Sequence, residues 1–113
     1  MMQYQSEVDR LSKLIDEGIA ALARSASEVA QAEFDYRKAK AIAWLEAPQG
    51  TVPVREAWVE AQTAELRRTL DMADGTRQAS LEAVRSRRQQ LSAVQSLLAA
   101  WKADQDFHRT RPQ

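Results

Sequence analysis

The residue types that most often carry catalysis or bind metals are scarce in this chain. It contains no cysteine and one histidine, His108. Structural and catalytic zinc sites take Cys and His ligands, so a zinc site is not expected. A di-metal centre between helices uses Glu-x-x-His motifs, and the sequence has none. The carboxylates at Glu28, Glu33 and Asp35 scatter around a helix instead of converging. We therefore expect a protein that is not an enzyme, with no catalytic residues, no metal and no cofactor.

Short basic clusters are the other candidate for chemistry. RKAK at 37–40, RR at 67–68 and RSRR at 85–88 stand out, and basic residues along a rigid helix can follow a phosphate backbone. However, the chain has 16 basic and 16 acidic residues, and acidic side chains interleave with the clusters. Alternating charge is typical of a solvated helix face. Aromatic residues do not interleave with the clusters as single-strand stacking requires. Nucleic-acid contact is therefore possible but not favoured, and its candidate residues are Arg37, Lys38, Lys40, Arg67, Arg68, Arg85 and Arg88.

The composition of the chain indicates which secondary structure must position these residues. A chain of 113 residues is long enough for one domain, which we place at 1–113. With only three Gly and three Pro and abundant Ala, it favours long helices. No apolar run approaches the roughly 18–20 residues of a membrane span. The start of the chain, MMQYQSEVDR, lacks the basic and apolar regions of a signal peptide. We expect a cytoplasmic protein that does not act at a membrane.

The segment APQGTVP at 47–53 is the strongest break in the sequence. Pro48 disfavours helix at the residue before it, Gly50 tolerates a positive φ, and Pro53 suits the first turn of a new helix. Thr51 can cap that helix. The sequence therefore predicts helices at about 3–47 and 52–107, a turn at 47–53 and a disordered C-terminal tail at 108–113.

Each predicted helix carries an apolar or small residue at alternating spacings of four and three, which we call its seam. The first seam comprises Tyr4, Val8, Leu11, Ile15, Gly18, Leu22, Ser25, Val29, Ala32, Tyr36, Ala39 and Ala43. The second comprises Val59, Thr63, Leu66, Leu70, Ala73, Arg77, Ser80, Val84, Arg87, Leu91, Val94, Leu98 and Trp101. Such heptad repeats are typical of coiled coils.

The two seams coincide when the chain folds back at the turn. Facing residues then have position numbers that sum to about 102. Gly18 faces Val84, and Trp44 faces Trp58 beside the turn. The predicted fold class is all-α: a long antiparallel helical hairpin of the coiled-coil type.

Two features of the second helix interrupt this pattern. Arg77, Ser80 and Arg87 are polar seam residues, whose stems we expect to lie along the seam with their heads reaching water. The alternative is a polar layer that fixes the register or binds a ligand. The Asp74-Gly75 pair resembles a turn. The heptad phase continues across it, which favours a continuous helix over a kink or a third helix.

Large apolar residues off the seams predict a further interface. Two helices make a narrow core, and a second apolar stripe is typical of packing by additional helices. A second copy would give a four-helix bundle, so a homodimer is favoured over a monomer, a hetero-partner or a larger oligomer. Trp101 has two interpretations, as a cap over the open end of the hairpin or as an anchor for a partner. The candidate partner or dimer face consists of Leu14, Ile19, Phe34, Leu81, Leu97 and Trp101.

Two stretches resemble a known group of proteins. They are EFDYRKAKAIAWLEAPQGTVPVREAWVEAQTAELR at 33–67 and LEAVRSRRQQLSAVQSLLAAW at 81–101. They are similar to small two-helix proteins of bacteriophages and prophages of actinobacteria, in which two long helices flank a short Gly-containing turn. The resemblance implies a phage accessory protein acting in the host cytoplasm, and it implies no particular site residues.

The favoured function is therefore a non-enzymatic accessory protein that binds a host or phage protein. A nucleic-acid-associated factor in recombination or replication is the first alternative. A minor structural protein of the virion is the second.

Overall fold

The computed structural model describes residues 2–110 and consists of two long helices. Helix α1 spans Met2–Glu46, and helix α2 spans Val52–Thr110. No strand occurs among the described residues. The predicted all-α helical hairpin is confirmed.

The helices divide into two compact units that are each built from both of them. Unit 1 contains α1 up to Ala20 and α2 from Leu81 onward, and unit 2 is Ala21–Ser80, which includes the turn. The single domain at 1–113 stays a prediction, because both helices continue through both units.

Burial follows the predicted seams. The buried residues between 3 and 109 all lie on them: Leu11, Ile15, Gly18, Ser25, Ala32, Ala43, Val59, Thr63 and Val84. The other seam residues are half-buried, apart from Trp101, which is exposed. The register places Trp101 opposite residue 1, which lies outside the described residues, and α2 is exposed throughout 99–109.

A close approach of the helices at Gly18 in unit 1 confirms the register. A Cβ built on Gly18 lies 2.9 Å from Cγ2 of Val84, the partner that the register assigns to it. The Arg87 guanidinium lies above the same glycine, with Nη1 3.6 Å from that Cβ position. Glycine therefore has a packing role here, because it admits the neighbouring helix where any side chain would collide.

The two polar seam residues whose side chains are buried satisfy their hydroxyls locally. Ser25 Oγ donates to the carbonyl of Leu22, and Thr63 Oγ1 donates to the carbonyl of Val59, both at 2.8 Å. Each hydroxyl thus occupies the seam without an unpaired donor, which would destabilise the fold.

The turn comprises 47–51 and is shorter than the predicted 47–53, because α2 already begins at Val52. Helix α1 ends at Glu46, so Ala47 lies outside it, as expected for a residue before proline. The backbone N–H of Arg55 donates to the Thr51 carbonyl at 3.0 Å, which makes Thr51 the residue that precedes α2. Gly50 does not adopt a positive φ, so its conformational freedom is not used.

Helix α2 is continuous through Asp74 and Gly75. The Asp74 carboxylate accepts hydrogen bonds from the Arg77 guanidinium at 2.9 and 3.2 Å and from Gln78 at 2.9 Å. Thr76 Oγ1 donates to the Met72 carbonyl one turn earlier, as inside a helix. Asp74 therefore pairs along the helix instead of bonding to the backbone of a turn. The alternative of a third helix beginning at this point was wrong.

The end of α2 differs from the prediction of a tail at 108–113. Residues 108–110 are helical, and 111–113 lie outside the described residues. His108 and Arg109 occupy the last turn, where the positive charge of Arg109 interacts favourably with the helix dipole. Between Gly75 and Pro112 the sequence contains neither glycine nor proline.

Candidate functional site

Tyr36 is the centre of a cluster of cations in unit 2. Lys40 Nζ lies 5.8 Å from the centre of its ring, and Arg67 Cζ lies 5.6 Å from it. Both distances fall within the range of cation–π attraction. Arg67 also pairs with Asp71 at 3.3 Å. Hydrogen bonding to Tyr36, followed by the charge of Asp71, raises the pKa of Arg67 above its ordinary value.

Sequence reasoning missed this cluster. Tyr36 directly precedes RKAK, and Arg67 reaches its ring from the other helix, a contact that the sequence analysis did not predict. The spacing of Tyr36 and Lys40, four residues apart on one helix, was the available signal. The contact from α2 depends on side-chain direction, which heptad phase does not specify.

The groove beside Tyr36 carries both signs of charge. Glu56 and Glu60 line it together with Lys40 and Arg67. Such a groove does not have the positive excess that phosphate binding requires.

The remaining candidates for a nucleic-acid patch are dispersed. Unit 2 contains Arg37, Lys38, Lys40, Arg67 and Arg68, whereas unit 1 contains Arg85 and Arg88. Arg37 pairs with Glu33 one turn away, and Arg85 pairs with Glu82 at 3.0 Å. These pairs are the alternating charges of a solvated helix face.

Arg55 connects the two helices beside the turn. Its Nη2 donates to the Trp44 carbonyl at 3.1 Å, and its guanidinium carbon lies 5.6 Å from the centre of the Trp44 ring. Its Nε is buried without a hydrogen-bond partner. The expected pairing of Trp44 with Trp58 was wrong. Trp44 lines the Tyr36 groove, whereas Trp58 lines a different depression with Ile42 and Glu46. Register places the two backbones opposite each other, but their side chains leave on different sides.

The predicted partner or dimer face draws its residues from both units and stays a prediction. Leu14 and Leu81 are half-buried beside the seam, and Ile19, Phe34, Leu97 and Trp101 are exposed. Phe34 belongs to unit 2, and the other five belong to unit 1. A further set of exposed apolar side chains lies near the turn, and sequence reasoning did not assign it to a site. It comprises Ile42, Leu45, Val52 and Val54.

The polar residues first considered for catalysis form no cluster. His108 Nε2 lies 3.4 Å from Asp104, and both side chains are exposed. Asp35 accepts a hydrogen bond from Gln31 at 2.9 Å, one turn away along the same helix. Across the described part of the chain, no group of three or more His, Cys, Asp or Glu residues is arranged to hold a metal ion. Neither α1 nor α2, over the residues described, has a stretch long and apolar enough to cross a membrane.

Comparisons with known proteins find no match among protein-family models, curated proteins or solved structures.

Proposed function

We propose that this protein is a non-enzymatic accessory protein that uses exposed apolar side chains of its helical hairpin to bind another protein. One observation carries the proposal. The residues buried between 3 and 109 all lie on the seam, while large apolar side chains such as Leu97 and Trp101 remain exposed outside the core. Exposed apolar groups that the fold does not use are typical of interaction sites.

The biological setting of the proposal rests on the sequence resemblance to actinobacterial phage proteins. We propose a phage-encoded protein that acts in the host cytoplasm, on a host or a phage protein. The scarcity of Cys and His supports a binding role over catalysis. The local pairing of Arg37 and Arg85 with acidic neighbours favours a protein partner over nucleic acid.

The partner surface in this proposal is the exposed part of unit 1 around Leu97 and Trp101. These two residues are one turn apart on α2, so one partner helix or groove can contact both. A tryptophan beside an aliphatic residue provides a large contact area, and tryptophan is enriched among the residues that dominate binding energies.

The test is retention of a partner from actinobacterial lysate that has been treated with nuclease, at moderate salt, followed by direct binding of the purified partner. We expect one protein to bind the wild type and to lose affinity at least tenfold for Leu97→Ser/Trp101→Ser. Met72→Ser removes a similarly exposed apolar side chain from unit 2 and serves as the matched control. Equal binding by all three proteins would refute the assigned surface. Salt-sensitive retention of nucleic acid alone would refute the function.

A further inference from the structure

The outer face of α1 in unit 2 carries a second line of apolar and small residues. Phe34 is 62% exposed and Leu45 is 87% exposed, although both are large hydrophobic side chains. At about 100° per residue, Ala30 and Ala41 lie within about 40° of Phe34 around the helix. The seam residues Ala32 and Tyr36 lie on the opposite side. We call Ala30, Phe34, Ala41 and Leu45 the Phe34 face.

The Phe34 face has the composition of a helix-packing surface. Its alanines leave room for a neighbouring helix to approach, and its large side chains fill the space that remains. Ala30 and Phe34 already border a shallow depression on α1, with Glu33, Arg37 and Lys38 around it. A partner that docks on this face must carry charges complementary to these three charged side chains.

The charges around Phe34 match an antiparallel copy of themselves. When Ala30 is set against Ala41 of a second copy, facing positions sum to about 71. Glu33 then lies within one residue of the second copy's Arg37, on the same side of the interface. Asp35 lies within two residues of its Lys38, on the other side. In a parallel pair, Glu33 would instead lie within two residues of the second copy's Asp35, and Arg37 within one residue of its Lys38, so that like charges would meet and destabilise the pair.

We propose that two copies of this chain associate through the Phe34 face, with their α1 helices antiparallel and the two-fold axis next to Phe34. The Glu33–Arg37 pair, which forms within α1 in the isolated chain, re-forms between the two copies. Phe34 packs between the alanines of its neighbour and carries most of the apolar contact. This inference extends the proposed function. It rests on that proposal only in assuming that exposed apolar side chains of the hairpin bind protein.

Cysteine cross-linking gives a direct test, because the chain has no cysteine of its own. The double variant Ala30→Cys/Ala41→Cys places a thiol on each side of the two-fold axis. Between copies the two positions face each other, whereas within one helix they are 11 residues, or about 16 Å, apart. A disulfide requires Cα atoms within about 7 Å. We expect the double variant to form a covalent dimer under mild oxidation.

The two single variants are the matched controls for orientation. In the antiparallel dimer, Ala30→Cys alone sets its two thiols about 16 Å apart, and so does Ala41→Cys alone. Both are expected to stay uncrosslinked. Efficient cross-linking of either single variant would indicate a parallel pair and overturn the proposal. Absence of any cross-link in the double variant would overturn it as well.

Mass in solution tests the role of Phe34. The wild type is expected to have twice the 12.7 kDa chain mass, and Phe34→Glu is expected to be a monomer with unchanged helicity by circular dichroism. Met72→Glu introduces the same charge at a position with 63% exposure and is expected to remain a dimer. A dimeric Phe34→Glu would refute the proposal, and so would a monomeric wild type. Either failure leaves partner binding by Leu97 and Trp101 intact, because those residues belong to unit 1.

Discussion

Replacing Gly18 with alanine should destabilise this protein, although the same change at Gly75 should stabilise it. Both glycines lie inside helices, where alanine is preferred to glycine by about 0.5–1 kcal/mol. They differ in their surroundings. A Cβ at Gly75 has nothing within 4 Å, whereas a Cβ at Gly18 lies 2.9 Å from Val84 Cγ2.

The size of the effect follows from this contact. Ordinary van der Waals contact begins at 3.4 Å, so the new methyl group overlaps Val84 by about half an ångström. Val84 is 2% exposed, and a β-branched residue in a helix has one strongly preferred rotamer, so it cannot turn away. The helices must separate instead. Overpacking of this kind costs about 1–3 kcal/mol, which exceeds the gain in helix propensity. We expect a net loss of about 1 kcal/mol for Gly18→Ala and a gain of about 0.5–1 kcal/mol for Gly75→Ala.

Thermal and urea unfolding followed by circular dichroism would measure both changes. The two variants should differ by about 2 kcal/mol, which corresponds to roughly 8 °C in Tm for a chain of this size. Adding Val84→Ala to Gly18→Ala should restore part of the loss, because it removes the overlapping methyl group. If Gly18→Ala proved as stable as Gly75→Ala, the close approach of the helices at this point would be refuted.

Three further predictions concern the turn, the core and the pH dependence. Arg55→Ala should lower the free energy of unfolding by about 1–2 kcal/mol, since it removes a charged hydrogen bond and a cation–π contact between the helices. Arg55→Lys should not recover the lost stability, and chemical denaturation would measure both variants. Leu11→Ala should lower the free energy of unfolding by about 2–5 kcal/mol, because Leu11 is 1% exposed. Leu97→Ala should change it by under about 0.5 kcal/mol, and equal losses in the two variants would contradict the assigned core. Hydrogen bonding from Arg10 lowers the pKa of Glu7 below its ordinary 4.5, so this pair should stabilise the fold above that pH and lose its effect as the pH falls through the lowered value. In an NMR titration, Arg10→Gln should return the pKa of Glu7 towards 4.5, and an unchanged value would contradict the assigned cause.

Heptad spacing predicted the core of this fold and its register. Gly18 and Val84 illustrate the reason, since both belong to seams identified separately and their contact is the one that the fold-back at the turn requires. Burial depends on helical phase, which a sequence specifies directly. The continuity of α2 at Asp74 followed from the same phase.

Side-chain direction and local pairing were harder to predict. Trp44 and Trp58 are opposite in register, yet they line different depressions, because register does not fix where a side chain points. The cations on the Tyr36 ring come from both helices, so they could be found only once those helices were placed together. Phe34 could be recognised as lying off the seam. Its assignment to a different unit from the other five candidates depends on tertiary contacts, which the sequence does not specify.

The most direct test of the central claim is the mass of the protein in solution, measured by light scattering with and without a single-stranded oligonucleotide at low salt. Self-association through the Phe34 face predicts about twice 12.7 kDa, and a protein that binds other proteins instead of nucleic acid keeps that mass when the oligonucleotide is added. A mass that rises with the oligonucleotide and falls back at higher salt would contradict the claim, because only phosphate binding shows that salt dependence.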